Sequence, residues 1–392
     1  MSTFSYCRPD DPVGDHRLRD TLVQSLLFEV DYWETYVRRV GAANIRALLQ
    51  GERRIGSLAV YRTGQWFGGN CVSMGGVAAV GVVPEFRGRG AAAFLMAELL
   101  RELFEDGTAL STLFASTQSL YRKCGYECAG SRILRELPLT EIGRTERSLC
   151  LTPITLDDPD CLTPLADERA RRTAGNLART PGLWERLVTV PKTDVHGYLL
   201  GPTESPQGYI LYHQPSDWVH PTILTIRDML ALTPAALRML WTFIHDHRSI
   251  IDVVRWYGPF VDPRLLAPSE SRARVVDDSS WMTRIVNVRQ ALCERGYSPG
   301  ESHELHLEIV GDAVLAENNG RFVLHVDQGR GDVRAGGRGD LCVDIGTLAP
   351  LYTGMHSATS LSVHGSLSGD PLTLQTADRI FAGPEPWMPE GF

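Results

Sequence analysis

The stretch VAAVGVVPEFRGRGAAAFLMAELLRELFED, residues 77–106, decides how this chain is read. VAAVGVV is an unbroken apolar run of strand length, and AAAFLMAELLRELFED carries its apolar residues at helical spacing. The turn between them holds Gly88 and Gly90 and runs straight into three alanines. Where a strand enters a helix through glycines, the first helical N–H groups are unpaired, and with the helix dipole they favour an anion. The stretch therefore predicts a strand over 76–83, a helix over 89–105 and a phosphate site between them. ALSTLFAST (109–117) reads as the next strand, and strand–helix–strand order implies a parallel pair with a crossover.

Two phosphate motifs compete for the turn. Gly88-Arg89-Gly90-Ala91-Ala92-Ala93 fits G-x-G-x-x-A, the dinucleotide fingerprint. That reading needs an acid at the end of the following strand to hold a ribose, and here Ser116-Thr117 stand there. It also needs the glycines to follow the strand at once, whereas Pro84-Glu85-Phe86-Arg87 intervene. The second motif is Arg87-x-x-Gly90-x-Ala92, which is similar to the R/Q-x-x-G-x-G/A signature of the GNAT N-acetyltransferases. About 30 residues on, SLYRKCGYECAG (119–130) resembles the Tyr-x-x-x-Gly-Tyr/Phe element that closes the GNAT core.

The whole chain bounds the possibilities. Its 392 residues suffice for two or three domains, and 43% apolar with 22% charged residues is ordinary for a globular protein. A formal charge of −8 argues against nucleic acid as the main partner. The longest apolar runs fall short of a bilayer span, which needs about 18–20 residues. The N-terminus, MSTFSYCRPDDPVGD, lacks a basic-then-apolar signal pattern, so a cytoplasmic location is expected. Eight cysteines stand apart without a C-x-x-C, which speaks against a zinc site or a disulfide scaffold.

Along the chain, 41–63 reads as two strands about a turn at QGERR. A composition shift at LTPITLDDPDCLTP (151–164) marks a boundary. The second segment mixes a charged helix (LADERARRTAGNLA), the strands GYILYHQ, HPTILTIRDMLAL and IIDVVRWYG, and a helix capped by Thr233, with no glycine-rich turn. DPRLLAPSESRARVVDDSS (262–280) reads as a loop-rich connector. Beyond it, SHELHLEIVGDAVLAENNGRFVLHVDQ reads as a hairpin about NNG, followed by the short helices DIGTLAPLYTG and PLTLQTADRIFA. In HELHLEIV the strand alternation turns His303 and His306 to opposite faces, and His245 and His247 end a helix, so no metal is expected.

The three-segment order, the segment SWMTRIVNVRQALCERGY (280–297) and the final Phe392 resemble one branch, the Eis (enhanced intracellular survival) family of bacterial acetyltransferases. The resemblance runs essentially the full length and is weak before residue 40. It implies an α/β (α+β) architecture: tandem GNAT folds, each a mixed sheet with flanking helices, then a sterol-carrier-like α+β domain. The expected divisions are 1–146, 147–285 and 286–392, with 280–297 as the connector into the third. It implies acetyl-CoA as co-substrate. Val80, Gly81 and Val82 would offer backbone groups to its pantetheine arm. Residues Gly88, Arg89, Gly90, Ala91, Ala92 and Ala93 would cradle the pyrophosphate, with Arg87 and Arg89 lending charge. Ser116 and Thr117 would line the channel. Tyr121 would be the general acid and the Phe392 carboxylate, delivered by the tail GPEPWMPEGF, the general base. The implied acceptor is a cationic amine, aminoglycoside-like, and the implied assembly a hexamer. Where relatives carry an acid before the last phenylalanine, this chain has Gly391, with Glu390 one position back; Glu29, Asp31 and Glu34 are the other candidate acids for a cationic substrate. The rival readings are a GNAT acting on protein lysines or N-termini, and a lipid-binding or catalytically dead acyl-CoA sensor.

The chemistry sets terms for those roles. A thiolate leaving group with a reference pKa of about 8.5 against about 10 for tyrosine makes proton donation uphill by roughly 2 kcal/mol. An α-carboxylate is far too weak to deprotonate an alkylammonium, but can take the proton once the amine has added to the thioester.

Overall fold

The structure is a computed structural model that describes residues 4–26, 29–143, 147–215, 219–268, 272–300 and 302–392. The first half contributes β1 (Phe4–Cys7), α1 (His16–Leu26), α2 (Trp33–Val40), β2 (Ile45–Gln50), β3 (Arg53–Phe67) and β4 (Asn70–Val82). After them come α3 (Ala91–Glu105), β5 (Leu110–Phe114), α4 (Gln118–Arg122) and β6 (Glu127–Pro138). β1 to β4 form an antiparallel meander, and α3 carries the chain across so that β5 runs parallel to β4. The α3 stripe of Leu95, Met96, Leu99, Leu100 and Leu103 is fully buried against this sheet, as the spacing of its apolar residues requires.

The second half repeats the plan with β7 (Leu151–Pro153), α5 (Thr163–Arg171), β8 (Leu177–Ala178), α6 (Pro181–Val188), β9 (His196–Leu200) and β10 (Gly208–His213). It continues with β11 (Ile223–Ala231), α7 (Pro234–Asp246), β12 (Val253–Gly258) and β13 (Arg274–Ile285). Thr233 caps α7 as expected, its hydroxyl accepting from the Ala236 N–H at 3.2 Å. β11 and β12 are the parallel pair here.

The two halves share one sheet by exchanging their last strands. Among the described residues its order is β1-β2-β3-β4-β5-β13-β6-β12-β11-β10-β9-β7, with β8 beside β3. β13 lies antiparallel on β5, from Leu110↔Ile285 to Phe114↔Trp281, while β6 lies antiparallel on β12. This corrects the reading of 280–297 as a connector. Trp281, Met282, Thr283, Arg284 and Ile285 are buried at the sheet centre, and only 288–294 leads away, as α8 (Val288–Glu294). The connector expected over 262–280 is likewise shorter, because β13 begins at Arg274 despite its polar run Asp277–Ser280.

A second sheet, ordered β16-β15-β14-β17-β18, holds β14 (His303–Val310), β15 (Gly320–Asp327), β16 (Arg330–Ala335), β17 (Leu341–Asp344) and β18 (Leu367–Ser368). It is covered by α9 (Ile345–Thr353), α10 (Ala358–Val363) and α11 (Pro371–Phe381). β14 and β15 pair antiparallel, but the link over 311–319 is a loop rather than a tight turn at NNG. Its reason is Asp312, whose carboxylate accepts from Asn318 while Asn319 donates to the Asp312 carbonyl, so the asparagines tie the loop instead of reversing it.

From α11 the tail returns to the shared sheet. The Trp387 N–H donates to the Ala174 carbonyl at 2.9 Å, and the Ser131 N–H to that of Pro386 at 3.0 Å. Trp387 and Met388 are buried, and the indole lies between the guanidiniums of Arg169 and Arg264, 5.7 and 5.8 Å away.

Candidate active site

The site forms where β4 and β5 part. Their parallel pairing runs from Met74↔Leu110 to Val77↔Leu113 and stops there. Just beyond, Ala79 takes φ +51°, a left-handed conformation that costs a non-glycine residue about 1 kcal/mol or more. At the same point the register of β4 on β3 slips between Ser57↔Gly81 and Ala59↔Ala78. This bulge turns Val80, Gly81 and Val82 away from β5 and opens a cleft between the strand ends. Sequence reading missed it, since alanine carries no signal for a positive φ.

At the cleft mouth Gly88 and Gly90 both have positive φ, +71° and +81°, and a Cβ on either would meet open space. Glycine is needed there for conformation rather than for room. Gly90 is the N-cap of α3 and offers no side-chain cap, the first turn holds no acid, and the first helical bond is Phe94 N–H to the Gly90 carbonyl. The N–H groups of Ala91, Ala92 and Ala93 precede that bond, so this end is left to an anion. The residues fit a pyrophosphate. Of the two flanking arginines, Arg87 turns back and donates from Nε to the Val82 carbonyl at 3.2 Å, while Arg89 lies 5.6 Å from the Phe86 ring. Ser116 and Thr117 are exposed at the opposite lip, Thr117 at the start of α4.

Tyr121 on α4 is buried and packs edge-on against Tyr126 at 6.0 Å; the Tyr126 hydroxyl is fixed on the Ser111 hydroxyl at 2.6 Å. Burial, with a smaller contribution from Cys124, pushes the Tyr121 phenol up to about 12. It is therefore a protonated, neutral hydroxyl at physiological pH.

The tail ends beside the same strands. The Phe392 ring lies 6.0 Å from Tyr61 and 5.9 Å from Phe114, and a Cβ on Gly76 would stand 3.0 Å from it. Gly76 is thus the floor on which the last side chain rests, and the Gly75-Gly76 pair inside a strand was the available signal for a close approach. Behind it, Glu390 is buried and ion-paired with Arg179. Arg179 also reaches Asp228 at 2.6 Å and the Tyr209 hydroxyl at 2.9 Å, and Arg169 holds Asp228 at 2.7 Å. Burial would raise the Asp228 carboxyl, but Arg169 and Arg179 hold it well below the usual carboxylate range. Glu29, Asp31 and Glu34 are exposed about the start of α2.

Among the described residues, no group of three or more acids, cysteines or histidines is placed to hold a metal ion. His306 bonds Glu304 at 2.8 Å and accepts the Arg338 N–H, and His247 bonds the Phe243 carbonyl. No helix among them is long and apolar enough to cross a membrane. The counterpart cleft between β11 and β12 lacks the anion cradle: Thr233 caps the helix and Pro234 has no N–H. A cavity of about 610 Å³ lies there, with Trp387 in its wall.

A cleft between parting parallel strands with an open helix N-terminus suits a phosphate-bearing ligand such as coenzyme A, and comparison with known proteins gives the family. Models of the acetyltransferase (GNAT) domain match residues 17–129 and 175–285, and a sterol carrier protein domain model matches 288–389. A GCN5-related N-acetyltransferase structure from Anabaena variabilis is 39% identical over the full length of both chains, with a TM-score of 0.96. N-acetyltransferase Eis of Mycobacterium tuberculosis is 26% identical across 90% of each chain. Eis1 of Mycobacterium abscessus, 21% identical and covering 100% of both chains at a TM-score of 0.83, shares the fold. The chain belongs to the GCN5-related N-acetyltransferases, in the Eis-type arrangement of two GNAT domains and a sterol-carrier domain, and is an acetyl-CoA-dependent N-acetyltransferase.

Proposed function

We propose that the enzyme acetylates a primary amine of a small molecule by direct attack in a ternary complex. Val80–Val82 hold the pantetheine arm, residues 88–93 the pyrophosphate, and Ser116 and Thr117 the channel lip. The free amine nitrogen bonds the acetyl carbon, the carbon–sulfur bond breaks, and Tyr121 gives its proton to the departing thiolate. The nitrogen's surplus proton passes to the carboxylate of Phe392, and the phenol is later reprotonated from solvent. Overall, amine and thioester give amide and thiol.

The observation that supports this reading is that the docked Phe392 rests on Gly76 and Phe114, on the two strands that part to form the cleft, while α4, which carries Tyr121, follows β5 directly. With the Tyr121 phenol at about 12, its proton lies about 3.5 units above a free thiol, a gap of about 5 kcal/mol. Exclusion of water by the bound substrates offsets part of it, because desolvation raises the thiolate's own proton affinity.

The Eis resemblance implies an aminoglycoside-like polyamine acceptor, a hexameric assembly and a cytoplasmic setting. For a polycation the candidate carboxylates are Glu29, Asp31 and Glu34 at the exposed rim, since Glu390 is already tied to Arg179. The test follows coenzyme A release with a panel of amines on protein without a C-terminal tag. Tyr121→Phe and removal of Phe392 should each lower kcat by about 10²–10⁴-fold with acetyl-CoA binding retained. Full turnover without Phe392 would sink the terminal-carboxylate role.

A further inference from the structure

The tail is tied down almost residue by residue. The Glu385 carboxylate accepts from the Ser131 hydroxyl at 3.1 Å and from the Val261 N–H at 2.9 Å. The Trp387 carbonyl accepts from Asn176 Nδ2 at 2.9 Å, and that of Pro389 from Arg132 Nε at 3.0 Å. Glu390 closes the series by accepting from Arg179 Nε. Among the described residues this is the last polar hold on the chain. Beyond it, Phe392 is held by the packing of its ring on Tyr61, Phe114 and Gly76. Two residues span at most about 7 Å, so the terminal carboxylate takes its place from Glu390.

Stability alone does not call for an ion pair at this point. The Arg179 and Glu390 side chains are 1% and 2% exposed, and Glu390 Oε2 is buried with no hydrogen-bond partner among the described residues. A buried carboxylate satisfied through one oxygen recovers little of its desolvation cost, and apolar residues of similar volume would hold the tail as firmly. What the pair adds is direction. An apolar contact tolerates sliding, whereas a guanidinium holds a carboxylate at one point. Arg179 is itself fixed. It follows β8, which pairs with β3 of the first half at Gly64↔Ala178, and it reaches Asp228 on β11 at 2.6 Å and the Tyr209 hydroxyl on β10 at 2.9 Å. Asp228 is held in turn by Arg169 at 2.7 Å and by the Tyr209 hydroxyl at 2.6 Å. The chain end is thereby referred to both halves of the shared sheet.

We infer that Arg179 and Glu390 are positioning residues for acetyl transfer, acting through Phe392 by fixing where the terminal carboxylate meets the acceptor, an assignment that rests on the terminal-carboxylate reading above. A displacement of about 1 Å at a reacting group can lower a rate by about 10²-fold.

Removing one partner would strand a buried charge, so the test replaces both, Arg179→Met with Glu390→Met, which leaves Asp228 paired with Arg169. Thermal unfolding should give a midpoint equal to or above that of the unaltered protein, and acetyl-CoA titration an unchanged affinity. With the best-turned-over amine of the panel above, kcat in the coenzyme A release assay should fall at least tenfold. The same two replacements in the chain lacking Phe392 should lower kcat no further, because the group through which they act is gone. An unchanged kcat in the full chain would overturn the assignment. So would an equal fold-loss in the shortened chain, since a merely structural role acts with or without Phe392. Should the double variant lose acetyl-CoA binding, Glu390→Gln, which removes the charge at nearly the same volume, is read in the same cycle. It should lose at least threefold in kcat in the full chain and nothing further in the shortened one, and any other result overturns the assignment. Full turnover of the unaltered chain without Phe392 would instead overturn the terminal-carboxylate reading and this assignment with it.

Discussion

As the proposed acid, Tyr121 would let one buried ring set the working range of the enzyme. With its phenol near 12, it keeps its proton throughout the range in which an acceptor amine becomes neutral. The kcat profile should therefore rise with pH as the amine deprotonates and show no fall between pH 8 and 10. A descending limb in that window would mean that Tyr121 titrates far lower or is not the acid. Glu102, on α3, makes the opposite case for stability. Burial works against its charge, yet Arg46, Tyr6, Arg8 and Arg62 around it bring its carboxyl down to about 2. A depressed carboxyl stabilises the fold above its unfolded value near 4.3 and loses that contribution as pH falls towards 2. The term is about 3 kcal/mol, and Glu102→Gln should lower stability at pH 7 by about that much and flatten the decline below pH 4.5 in denaturant titrations.

At the scale of the element, the turn into α3 was legible because apolar run, glycines and helical stripe occur in one uninterrupted stretch. Gly90→Val should cost about 1–2 kcal/mol through its positive φ and raise KM for acetyl-CoA more than it lowers kcat, which initial-rate kinetics separates. β13 was not legible. Asp277-Asp278-Ser279-Ser280 break its apolar alternation, because this strand leaves the solvent at its start and crosses the buried centre only from Trp281 onward. NNG was misread for a related reason: turn-forming asparagines also serve as side-chain ties, and the partner that recruits them, Asp312, acts through a loop. The bulge at Ala79 and the seat at Gly76 answer to tertiary contacts that lie far away in sequence.

At the scale of the molecule, the second half lends the first a strand and a mooring for the tail, in place of a cofactor site of its own. Its counterpart cleft has Trp387 in its wall, and its buried Asp228–Arg179 pair extends to Glu390. Trp387→Ala should cost about 3–5 kcal/mol in stability and lower kcat while leaving acetyl-CoA affinity unchanged, as thermal unfolding and coenzyme titration would show. The same docking places Phe392 on Gly76 and against Phe114, beside the point where β4 and β5 part.

The most direct test of this assembly is the turnover of protein prepared by C-terminal ligation with Phe392 as its carboxamide. That change keeps the ring and its seat and removes only the negative charge. The account predicts a kcat lowered at least 100-fold, with acetyl-CoA affinity and thermal stability unchanged. Turnover equal to that of the free acid would contradict it and leave acetyl transfer to Tyr121 and the cleft without the tail.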